Sequence, residues 1–176
     1  FYEIDLILIG KIFGPVEVAI FGVAFTFLNF LRSLWVILFT PFSNHINHYI
    51  GLEEREKGIQ MIIKLVEFTY PLYFILALLL TVVSTELVIY WLGPVYLDSV
   101  PILRILSIMS VFGFLIMPST LYFVAYEKTK SLYYLSICTP TVFFASLILF
   151  GIFFSLTLEL FAISKLMAFL TSFIFC

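Results

Sequence analysis

From Tyr70 to Gly93 the chain reads "YPLYFILALLLTVVSTELVIYWLG", with Glu86 as its only charged residue. A block of that length, apolar without strict alternation, is long enough to cross about 30 Å of hydrocarbon as a helix. Backbone N–H and C=O groups find no water there, so a spanning segment must satisfy them internally, as an α-helix does. Similar blocks recur along the sequence, none with the period-2 pattern of a barrel strand. The whole composition agrees: 63% of residues are hydrophobic, 11% are charged, and the mean hydropathy is +1.18. Such a balance excludes an ordinary water-soluble domain. The expectation is an all-α, polytopic transmembrane helix bundle.

The run "FYEIDLILIGKIF" is too short to span and is broken by "GPVE", so it reads as the back half of a helix. A second helix is expected from about Val16 to Phe39, ending before Pro41. The polar stretch that follows, "SNHINHYIGLEEREKGIQMIIK", reads as a loop plus an amphipathic helix, residues 52–63, lying on the membrane surface. Four more apolar segments then alternate with short turns, giving about six helices, one of them partial. Residues 1–64 form the first helix pair with its interfacial segment, and 65–176 the remaining four-helix part of the same membrane domain. Phe rather than Met at residue 1, and a chain that stops at Cys176 inside an apolar run, read as a piece of a longer protein.

Basic residues set the expected orientation. Arg55, Lys57 and Lys64 fall in the second connection and Lys128 and Lys130 in the fourth, whereas "GPVYLDS" and "GIFFSLT" carry none. Connections two and four are therefore expected on the cytoplasmic side of a cell membrane, with Lys11 as one exception. Tyr90, Trp91 and Tyr96 are expected at the outer interface and Tyr126, Tyr133 and Tyr134 at the inner one.

Polar residues inside apolar spans are the candidates for function. At 100° per residue, Gly22, Thr26, Asn29, Ser33, Val36 and Thr40 share one narrow stripe of the second helix. Such a stripe suits either a close helix–helix contact or the wall of a hydrated cavity. Arg32 lies about 80° from it. An intramembrane guanidinium faces a wet cavity, snorkels to the surface or joins an internal ion pair, and a cavity would leave it available to an anion such as a phosphate. Asp5 would lie at membrane depth if its helix continues inward. Lys165 points into the bundle or snorkels, and six residues separate it from Glu159, too many for a helical pair. Glu86 and Arg104 read as a surface pair or as solvated charges. Pro118 removes one backbone bond, so a kink is expected near it.

His45 and His48 have a spacing that could serve a metal, yet no matching ligands are evident, and Cys138 and Cys176 sit in apolar surroundings. Neither a metal nor a cofactor is expected. No nucleophile beside a base, no phosphate-cradling glycine loop and no basic–aromatic surface for nucleic acid is present, so catalysis is not expected either.

The segment "YEIDLILIGKIFGPVEVAIFGVAFTF", with its Asp, Ile-Gly pair and glycine-bearing turn, resembles the start of a repeat in the polysaccharide exporters. These are flippases of lipid-linked oligosaccharides within the multidrug and polysaccharide exporter superfamily. "WLGPVYLDSVPILRILSIMSVF" and "AYEKTKS" are similar to segments of that family's C-terminal half, while Ala19 and Phe21 stand where the family often has Gly-x-Tyr. The resemblance implies one lobe of a two-lobed transporter that works by alternating access. Its substrate would be a polyprenyl-diphosphate oligosaccharide, its setting the plasma or inner membrane, and its neighbours membrane lipids and a polysaccharide polymerase or glycosyltransferases. Arg32, Asn29, Ser33, Thr26 and Asp5 are then the cavity candidates, with Arg32 facing the diphosphate. The alternatives are a cation-coupled multidrug exporter of the same superfamily and a non-transporting membrane scaffold.

Overall fold

The computed structural model describes residues 4–52, 54–125 and 127–175. Among them there is no strand. The helices are α1 (Ile4–Ile12), α2 (Pro15–Gly51), α3 (Arg55–Leu92), α4 (Ser99–Gly113), α5 (Ile116–Ala125), α6 (Thr129–Phe153) and α7 (Leu158–Phe175), with a single 3-10 turn at Pro94–Tyr96. Among the described residues, four segments are long and apolar enough to cross a membrane: Pro15–Tyr49, Arg55–Leu92, Ser99–Val124 and Leu132–Phe153. The protein is therefore an all-α, multi-pass membrane protein. Large apolar side chains such as Phe68, Val82, Ile148 and Ile152 stay exposed on the outside of the bundle, where a bilayer rather than a core covers them.

α4 is the central helix, packed against α2, α3 and α7, whereas α6 rests chiefly on α7. Every third or fourth residue of α2 feeds the interior: Phe21, Phe25, Leu28, Leu31, Trp35 and Phe39 are all buried. The first three join Ile9, Leu103 and Phe161 in one apolar cluster. The last three join Tyr73 and Phe114 in a second, aromatic-rich cluster.

Two boundaries differ from the sequence expectation. α2 does not end before Pro41 but runs on to Gly51, and the segment expected to lie on the membrane surface is the first part of α3, continuous across residues 64 and 65. The cause is tertiary. Ile46 is fully buried, and a Cβ added at Gly58 would lie 3.7 Å from the Ile46 carbonyl oxygen. The two helices thus approach closely up to their hairpin, and this packing outweighs the hydrogen bond that proline forfeits. With 37 and 38 residues, α2 and α3 are each about 55 Å long, well beyond the hydrocarbon thickness.

The kink expected at Pro118 is present as a break. α4 stops at Gly113 and α5 starts at Ile116, so the interruption falls at Phe114, whose carbonyl a residue-118 N–H would otherwise reach. Connections two and four lie at the same end of the bundle, since the Arg55 guanidinium donates to Glu127 Oε1 at 2.9 Å. Tyr90, Trp91, Tyr133 and Tyr134 are exposed near helix ends, and Tyr96, in the 3-10 turn, is half-buried; Tyr126 lies outside the described residues. Arg104 does not pair with Glu86. It donates instead to the hydroxyls of Ser84 and Thr85, at 2.9 and 3.0 Å.

A candidate anion-binding cleft beside a buried ion pair

Near the midpoint of α2, Arg32 lines a partly open cleft of about 390 Å³. The other walls come from Trp35 on α2, Tyr73 on α3, Ser110 and Gly113 on α4, and Phe169 on α7. Arg32 reaches this position because it sits beside the buried face of α2, between Leu28 and Trp35, which anchor the helix. Gly113 makes room: a Cβ there would stand 3.1 Å from a Phe169 ring carbon. The floor is aromatic, with Trp35 and Phe114 rings 4.6 Å apart between centroids and Tyr73 4.9 Å from Phe114.

The buried indole nitrogen of Trp35 has no hydrogen-bond partner among the described residues. A buried N–H donor without an acceptor is uncommon and costly. The cleft therefore combines a guanidinium with a neighbouring side chain whose donor is unsatisfied.

Close to it is a second polar feature. The Lys165 ammonium donates to Asp5 Oδ2, joining α7 to α1, and each side chain is only 1% exposed. Lys165 also lies over the Phe25 ring, 4.6 Å from its centroid. Asp5 is placed by the turn between α1 and α2, where Gly14 takes φ +115°, a conformation that costs other residues strain, and Pro15 opens α2. The second carboxylate oxygen, Oδ1, and the neighbouring Ser164 hydroxyl are buried without partners among the described residues. Arg32 is near enough for its charge to act on Lys165.

The other sequence candidates lie elsewhere. Thr26 and Ser33 are exposed, and their hydroxyls donate to the carbonyls of Gly22 and Asn29, each at 2.8 Å; Thr40 does the same to Val36 at 2.6 Å. Asn29 is half-buried, and none of these residues lines the cleft. A Cβ added at Gly22 would meet nothing within 4 Å, and of the stripe only Val36 reaches the cleft. Asp5 belongs to the ion pair rather than to the cleft wall. His45 and His48 are exposed, and the described residues contain no group of three metal-ligating side chains.

Trp35 and the Asp5–Lys165 partnership were not evident in the sequence. A signal for the pair was present: opposite charges in two separate apolar helices, each expensive alone, are cheapest together. Comparison of the chain with protein-family models, curated proteins and solved structures finds no match.

Proposed function

We propose that the chain is one lobe of a transporter that flips polyprenyl-diphosphate oligosaccharides across the cell membrane for surface polysaccharide assembly, working by alternating access and without catalysis. The observation that carries this reading is the placement of Arg32 on a cleft wall at mid-helix. A planar guanidinium holds two phosphate oxygens at once. The aromatic floor offers flat surfaces to the C–H faces of sugar rings. The lipid tail would remain in the bilayer. Glycosyltransferases and a polymerase are the partners this role calls for, as source and consumer of the cargo.

The test is binding to the full chain in lipid nanodiscs, using a fluorescent polyprenyl-diphosphate oligosaccharide and, as control, the unphosphorylated polyprenol. Arg32→Ala should weaken the diphosphate ligand about 10- to 100-fold, the value of a lost charge-assisted bond, and leave the control unchanged. Equal affinity in wild type and Arg32→Ala would overturn the assignment of Arg32. The buried Asp5 carboxylate, with one oxygen unpartnered, favours a second reading as a cation-coupled exporter. In that case Asp5, not Arg32, is the residue whose loss stops transport.

A further inference from the structure

At the hairpin end of α2 and α3 lies a second cavity, of about 450 Å³, that the transport reading does not use. Its α3 wall is a single face. Lys57, Gln60 and Lys64 follow one another at helical spacing, and Phe68 continues the row one turn deeper. Lys57 and Lys64 are about 10 Å apart along the axis, and Phe68 is about 6 Å farther in. The antiparallel α2 wall is graded the same way, with Tyr49 opposite the lysine end and Phe42 toward the apolar end. The site is therefore a groove that is polar and cationic at its hairpin end and apolar at its other end, where Phe68 is open to the outside of the bundle. It opens where α3 enters its apolar span.

We propose that this cavity is a binding site for an anionic glycerophospholipid, with the headgroup phosphate held by Lys64 and Lys57 and the first acyl carbons laid against Phe42, Leu65 and Phe68. A phosphodiester matches the lysine rim, and a soluble anion would leave the apolar end wet. The acidic residues nearby do not close the site. Glu54 accepts from Lys57 at 2.8 Å, which leaves Lys64 as the main cation, and Arg55 is taken by Glu127. Glu56 and Glu67 are exposed and outside the lining. Basic pockets between helices at this level of a membrane protein are well suited to anionic headgroups, and long lysine side chains reach them by snorkelling. The inference does not depend on the cleft at Arg32.

The experiment uses the full chain in nanodiscs of equal parts phosphatidylglycerol and phosphatidylcholine, followed by native mass spectrometry of the lipid it retains. Phosphatidylglycerol should be enriched about fivefold in the retained fraction, the value of one cation near a lipid surface. Lys57→Gln/Lys64→Gln should abolish the enrichment, and Lys130→Gln, at the same end of the bundle, should preserve it. No enrichment in the wild type, or enrichment that survives the double substitution, would overturn the site. Displacement of the retained lipid by millimolar glycerol phosphate would overturn the lipid assignment, since a free phosphate would then suffice.

Discussion

Asp5 and Lys165 illustrate how a charge is kept in an apolar interior. Removing one partner strands the other without water, which costs about 3–5 kcal/mol, whereas replacing both by apolar residues of similar size is close to neutral. Lys165→Met alone should therefore destabilise the protein by that amount, and Asp5→Leu/Lys165→Met should recover most of it, as measured by denaturant unfolding in mild detergent. A single variant as stable as the wild type would mean that the pair contributes nothing to folding. The sequence displayed both charges but not their contact. Asp5 and Lys165 are 160 positions apart, and no local period connects helices at that separation. Arg32 was more legible, because its angular position on α2 follows from counting residues along one helix. Periodicity places the hydroxyls of Thr26 and Ser33 on one face, and each donates to a carbonyl of its own helix.

Among the elements, α4 and α5 are the pair most dependent on one residue. Pro118→Ala would return an N–H donor opposite the Phe114 carbonyl and join them into one continuous helix. The expected outcome is slower amide hydrogen exchange at residues 117–119 and a narrower cleft, since Phe114 and Ile116 both line it. Unchanged exchange would place the cause of the break elsewhere. This interruption was readable from the proline alone, whereas the passage of α2 through Pro41 was not. The difference lies in what surrounds each proline. Pro118 is buried within the bundle, while Pro41 is exposed and the helix beyond it is held by Ile46 packing against Gly58. A local rule decides a helix end only where no distant contact competes with it.

For the molecule as a whole, the all-α class and the apolar belts were legible because the bilayer imposes length and composition on each span independently; about six helices were expected, and the described residues form seven because α4 and α5 are divided at Phe114. The side of each connection is testable in the same terms. In a background lacking Cys138 and Cys176, single cysteines at Glu56 and Lys128 should react with a membrane-impermeant maleimide from the cytoplasmic face. Cysteines at Val95 and Ser155 should react only from the opposite face. Labelling of all four from one face would refute the topology. The Arg55–Glu127 contact at that end is an exposed pair, 44% and 78% by side chain, so it contributes no more than about 1 kcal/mol and marks proximity rather than strength. The overhang of α2 and α3 matters more. Two rods about 25 Å longer than the hydrocarbon is thick cannot stand upright and stay within it, so tilt and the interfacial layer around their hairpin must take up the surplus. A thicker bilayer would let the two helices stand straighter, and a thinner one would lean them further over.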